Sequence, residues 1–145
     1  MKTLEEALAE SKDKGIVIYF ANPVNTYNKP IEQKILALLK VNFTPATIIN
    51  PNSAEHHVQY KKQGMSYFED LVSKSNILVA LPFSDGSVGA GIGREMHYAL
   101  TRGLDTYYLE PTTFTFRKVA AISELRILSV ESTRERLRTI LEEYP

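Results

Sequence analysis

The chain has no cysteine, which removes disulfide frameworks, thiolate nucleophiles and cysteine-based zinc sites together. It also lacks an excess of either charge. Seventeen basic residues balance seventeen acidic ones over 145 residues, so no net field holds the chain on nucleic acid or on an anionic membrane surface. A small, mobile ligand is the expected partner. No apolar run approaches the roughly 20 residues of a membrane span. The first residues, Met1-Lys2-Thr3-Leu4-Glu5-Glu6, carry acids where a signal peptide needs an apolar stretch, so the expected address is the cytoplasm. Repeats, low-complexity tracts and a domain linker are missing as well. With 43% hydrophobic residues the chain can build one sizeable core, which predicts a single domain over residues 1–145.

What is present alternates between two periodicities. Thr3 and Glu6 have the form of a capping box, predicting a helix from Leu4 to about Lys12. Ile16-Val17-Ile18-Tyr19-Phe20 is a continuous β-branched and aromatic run, the pattern of a strand covered on both faces. Ile31, Ile35, Leu38 and Leu39 line one face of a helix. Thr47-Ile48-Ile49 reads as the second strand, and two helical pieces divided at Gly64 follow, the second opening near Met65. Ile77-Leu78-Val79-Ala80-Leu81 is the third strand. Ile92, Met96, Ala99 and Leu100 mark a helix ended by Gly103. Thr106 to Leu109 is the fourth strand, Arg126-Ile127-Leu128 is taken as the fifth, and Leu137, Ile140, Leu141 and Tyr144 give a last helix its apolar face.

This alternation predicts an α/β fold, a flavodoxin/Rossmann-like doubly wound sheet of five parallel strands in the order 2-1-3-4-5. In that order the first and third strands meet at the switch point, and ligands bind outside the carboxyl ends of the strands there. The loops after Phe20 and Leu81 are thus where chemistry is sought.

The second of those loops is Asp85-Gly86-Ser87-Val88-Gly89-Ala90-Gly91-Ile92-Gly93-Arg94-Glu95. Its glycines let backbone amides approach a ligand, and the helix start adds unpaired N–H donors. Asp85, Gly86, Ser87, Gly89, Gly91 and Gly93 are therefore candidate ligand contacts, against the plainer reading of a turn with close helix–sheet packing. Glu95 lies at the edge of the buried helix face, where the helix dipole favours an ionised carboxylate suited to act as nucleophile or base. Complementing the dipole is its plainer role. Tyr19, near the end of the first strand, and Asp70, early in the helix before the third, converge on the same crevice if the topology holds. A core tyrosine and a helix-surface acid are the plainer readings of these two. Asn22, Asn25 and Lys29 follow the first strand, and Asn22 joins the candidate contacts.

Ile18-Tyr19-Phe20-Ala21-Asn22-Pro23, Asp70 ahead of Ser75-Asn76-Ile77-Leu78-Val79-Ala80, and Gly91-Ile92-Gly93-Arg94-Glu95-Met96-His97-Tyr98-Ala99-Leu100 together resemble the nucleoside 2-deoxyribosyltransferase family, including the related nucleoside 5′-monophosphate N-glycosidases. The likeness covers about residues 16 to 110. It implies a flavodoxin-like sheet, Glu95 as the nucleophile at the anomeric carbon, Tyr19 orienting that carboxylate, and Asp70 contacting base or sugar and assisting leaving-group protonation. No cofactor is implied, and relatives are oligomers, so a homodimer or higher assembly is expected, with Met65 to Phe68 as an apolar contact surface. Gly89 stands where the monophosphate hydrolases carry a serine, and residues 111–145 hold no match to the asparagine by which transferases complete a neighbour's site. The expected function is cleavage or transfer at the N-glycosidic bond of a nucleoside or nucleoside monophosphate. A NAD-cleaving glycohydrolase and a non-catalytic nucleotide-binding or sensing domain are the alternatives.

Other polar clusters are read plainly. His56 and His57, adjacent on a helix, point in different directions and are taken as a solvated pair with no metal. His97 projects from another part of its helix than Glu95. Arg134, Arg136 and Arg138 alternate with glutamates as a solvated face.

Overall fold

The computed structural model describes residues 15–145; the helix expected from Leu4 to Lys12 lies outside them. Five strands form one sheet in the order β2-β1-β3-β4-β5: β1 is Ile16–Ala21, β2 Ala46–Ile49, β3 Ile77–Ala80, β4 Asp105–Leu109 and β5 Phe116–Lys118. The α-helices among the described residues are α1 (Pro30–Asn42), α2 (Ala54–Gln63), α3 (Met65–Ser73), α4 (Ala90–Thr101) and α5 (Val130–Thr139).

The order is the one the sequence predicts, but the sheet is mixed. β1 pairs in parallel with β2 and β3, and β3 with β4, whereas β5 runs antiparallel to β4, Tyr107 opposite Lys118 and Leu109 opposite Phe116. The fifth strand is also a different segment from the one expected. Residues 111–115 turn the chain back directly, with the Phe114 N–H bonded to the Glu110 carbonyl at 2.8 Å, so an adjacent antiparallel strand forms without a crossover helix. Arg126 to Leu128 instead brackets Val88 in an isolated parallel bridge: Val88 N–H donates to the Arg126 carbonyl at 2.9 Å and Leu128 N–H to the Val88 carbonyl at 2.8 Å.

Side chains alternate across the sheet with the period of two that strand geometry dictates. Ile18, Phe20, Val79 and Leu81 enter one core with Ile31, Ile35 and Leu39 of α1. Val17, Tyr19, Ala21, Leu78 and Ala80 enter the other with Leu71 and Val72 of α3 and Ile92, Met96 and Ala99 of α4. Helices thus cover both faces, and the odd-numbered phase of β1 sends Tyr19 toward α3 and α4. Within Met65 to Phe68, Tyr67 is buried, while Met65 and Phe68 are partly exposed and Phe68 packs against the core. No helix among the described residues is long and apolar enough to cross a membrane.

Candidate functional site

A cavity of about 410 Å³ opens at the carboxyl edge of the sheet. Its walls come from the loop after β1 (Asn22, Pro23, Val24, Tyr27), from Pro51 after β2, and from Gly89, Gly91 and Ile92 at the start of α4. Helices α2 and α3 add His57, Tyr60, Met65 and Phe68, while α5 contributes Thr133 and Leu137. This is the switch-point crevice that the topology requires.

Tyr19 and Glu95 meet there. The Tyr19 hydroxyl donates a hydrogen bond to Glu95 Oε2, and both residues are buried, Glu95 at 6% exposure. Burial pushes the Glu95 carboxyl up from the ordinary 4.5 to about 7; the Tyr19 hydrogen bond opposes that rise and the negative charge of Glu69 adds to it. The dipole argument predicts a readily ionised carboxylate, but Glu95 is the sixth residue of α4, beyond the first turn where the dipole acts strongly, and desolvation wins. Tyr19 is itself held well above the usual tyrosine range, by burial first and then by the Glu95 charge.

Asp70 does not join this pair. It is exposed on α3 and accepts a hydrogen bond from Gln63 Nε2 at 2.8 Å, outside the cavity wall. One helical step, about 100°, separates it from Glu69, and it is Glu69 whose charge reaches Glu95 while its Oε2 pairs with Arg94 Nε at 2.9 Å.

The glycine-rich run divides in the same way. Gly89 and Gly91 line the cavity. Asp85, Gly86, Ser87 and Gly93 do not. Asp85 accepts from Ser87 N–H at 3.0 Å and Oγ at 2.6 Å and pairs with Arg126 and Arg136. Gly86 has φ of 88°, a left-handed turn suited to glycine, and its carbonyl accepts from the Tyr108 hydroxyl at 2.8 Å. A Cβ at Gly93 would lie 2.7 Å from Ile127 Cγ2, so close packing demands that glycine. The Ala90 N–H donates to Thr133 Oγ1 at 2.9 Å and Gly93 N–H to the Gly89 carbonyl. The amides of Gly89, Gly91 and Ile92 keep no partner among the described residues.

Aromatic rings form one wall of the cavity. Tyr60 stacks on Phe68 at 5.0 Å between centroids and Tyr27 on His57 at 6.1 Å; burial, then the charges of Glu95 and Glu32, raises the Tyr27 hydroxyl pKa. These residues carry no motif, and only the packing of α2 and α3 against the loop after β1 brings them together. His56 and His57 are not a solvated pair. His56 is buried with Nδ1 2.5 Å from the Tyr67 hydroxyl, its pKa lowered mainly by burial. Arg136 is likewise no solvated cation, since it reaches inward to Asp85 and to the enclosed Glu143. His97 is exposed, away from the cavity. Asn25 binds the Ile140 carbonyl and Glu143, each at 3.0 Å, and Lys29 forms the cap position of α1. No group of three potential metal ligands occurs among the described residues.

Comparison with protein-family models, with curated proteins and with solved structures finds no match to this chain.

Proposed function

We propose that this cavity cleaves or transfers the N-glycosidic bond of a nucleoside, with Glu95 as the attacking carboxylate. The observation that carries the reading is a buried glutamate, hydrogen-bonded by a buried tyrosine, in an aromatic-walled cavity at the sheet's switch point. Stacked tyrosine and phenylalanine rings suit a flat base. Among the described residues that line the cavity there is no lysine or arginine, which favours an uncharged nucleoside over a nucleotide.

The chemistry follows from one carboxylate. An ionised Glu95 oxygen bonds to the anomeric carbon as the carbon–nitrogen bond breaks, its electron pair leaving on the base nitrogen, which takes up a proton from solvent. Water, or the N–H nitrogen of a second base, then attacks the same carbon, displaces the Glu95 carboxylate and gives up its proton to solvent, so that the protons balance over the two steps. Glu95 is the only carboxylate among the described lining residues. That favours double displacement over the inverting route, in which a second carboxylate activates water. Tyr19 fixes the carboxylate's orientation. Because only the ionised form attacks, kcat/KM rises with pH until about 7.

A non-catalytic binding domain is the second reading, favoured by the same elevated pKa, since a partly protonated Glu95 can serve as a hydrogen-bond donor to a ligand. Incubation with nucleosides, nucleoside monophosphates and NAD, with free base followed by chromatography, separates the two. Release from nucleosides supports the enzyme; binding without release supports the sensor. Release from NAD alone identifies a NAD glycohydrolase instead. Homo-oligomerisation belongs to the same proposal, and light scattering tests it.

A further inference from the structure

Asn22 lies in the cavity wall at 4% exposure, and its side chain is only half used. Its Nδ2 donates to Thr26 Oγ1 at 3.1 Å and to Glu32 Oε2 at 3.2 Å. Its Oδ1 is buried and has no hydrogen-bond partner among the described residues. Buried carbonyl oxygens are almost always paired, so an orphan on a residue that lines the cavity calls for an explanation.

The orientation of this amide is fixed from below. Glu32 is buried in the first turn of α1 at 2% exposure, and a carboxylate offers only acceptors. Four groups donate to it: Asn22 Nδ2, the Asn28 backbone N–H at 3.1 Å, Asn50 Nδ2 at 3.4 Å and Asn52 Nδ2 at 3.0 Å. A flipped Asn22 would set its carbonyl oxygen against Glu32 and forfeit the bond. Nδ2 therefore stays with Glu32, and Oδ1 is the atom left for a ligand. The asparagine-rich loop after β1, with Asn28 at φ 61°, supplies the second layer that holds this arrangement.

We infer that Asn22 Oδ1 is a specificity-determining acceptor that reads a neutral N–H or O–H donor on the bound molecule, with Glu32 as its positioning residue. This deepens the nucleoside reading and rests on it. An anionic phosphate is a poor match, because it brings acceptors to an acceptor backed by a carboxylate. The donor comes from either the base, as an exocyclic amine, or the sugar, as a hydroxyl. Both present the same chemistry to Asn22.

Equilibrium binding separates the sources without depending on turnover. The probes are 2′-deoxyadenosine, the analogue lacking the 6-amino group, and the 2′,3′-dideoxy analogue, each titrated calorimetrically into wild type and Asn22→Ala in short incubations. Wild type is expected to lose about tenfold in affinity for one analogue, and that analogue identifies the donor. In Asn22→Ala the same two ligands should bind equally, since the donor has lost its acceptor. A preference that survives in folded Asn22→Ala, or no preference in wild type, overturns the assignment. Should Asn22→Ala fail to fold, Glu32→Gln provides the test. A glutamine no longer forces the amide's orientation, so the preference should shrink at least threefold while affinity for the donor-lacking analogue stays unchanged; an unaltered preference counts against the inference. Nucleoside binding without base release would defeat the enzymatic reading while leaving the Asn22 ratio to be judged on its own.

Discussion

The hydroxyl of Tyr19, on β1, donates to Glu95 Oε2, on α4, across 76 residues of sequence. A hydrogen bond to the charged form of a carboxylate favours that form, so Tyr19 counteracts the burial that drives Glu95 upward. Tyr19→Phe removes the bond and keeps the ring. The expected result is a pH–rate profile for base release whose acidic midpoint moves above the wild-type value of about 7. A midpoint unchanged or lowered would show that the hydroxyl does not stabilise the ionised carboxylate.

The same shift links Glu95 to stability. Below about pH 4.5 the carboxyl is protonated in both folded and unfolded chains; between there and about 7 only the folded chain keeps its proton. The stabilisation from this raised pKa is therefore present at acid pH and lost as pH rises through about 7. Glu95→Gln cannot ionise and escapes the loss. Denaturant unfolding should show the variant gaining on wild type, by on the order of 3 kcal/mol, as pH climbs across that window. A difference independent of pH would mean that Glu95 ionises as easily folded as unfolded.

Glu69 and Asp70 are adjacent in sequence but have different effects. Glu69 raises the Glu95 pKa through its charge, whereas Asp70 is engaged with Gln63 on the exposed side of α3. Glu69→Gln should lower the midpoint of the pH–rate profile, and Asp70→Asn should leave both midpoint and rate within about twofold of wild type, as for surface changes generally. A large rate loss in Asp70→Asn would restore it to the reacting centre.

Two glycines of α4 make a matched pair. The nearest atom to a Cβ at Gly91 is Met65 Cε at 3.9 Å, whereas at Gly93 it is Ile127 Cγ2 at 2.7 Å. Gly91→Ala should fold at least as well as wild type, because alanine is the better helix former, and should alter ligand affinity from the cavity wall. Gly93→Ala should be less stable than Gly91→Ala by about 1–3 kcal/mol, the usual cost of overpacking. Equal melting behaviour of the two variants would show that Ile127 yields freely.

The elements legible in the sequence are those whose burial is two-sided or strictly periodic. Ile77 to Ala80 is buried on every residue, so its apolar run announces a central strand. Phe116-Arg117-Lys118 forms a three-residue edge strand with no buried side chain, and nothing in its pattern separates it from a loop. Ile127 and Leu128 look like strand because they are apolar, yet they serve Val88 and cover Gly93. At the site, Tyr19 and Glu95 were readable from strand phase and helix position. Asp70 lies outside the cavity wall because of the rotation of α3, which depends on packing and which no spacing in the sequence reveals. Glu32 gave no signal, because a glutamate in a first helical turn is ordinarily a surface acid; only the fold encloses it among three asparagine amides and a backbone N–H.

In the proposed reaction a carboxylate oxygen of Glu95 attacks an anomeric carbon. Its most direct test compares base release from a nucleoside panel by wild type and by Glu95→Gln, with nucleoside binding by both measured alongside. The glutamine keeps the size of the side chain and removes the charge that attacks. Wild type is expected to release base, and the variant to bind nucleoside while its release falls by several powers of ten, each tenfold step being about 1.4 kcal/mol of barrier. Release at the wild-type rate by folded Glu95→Gln, or no release by wild type from any nucleoside it binds, would contradict the proposed reaction.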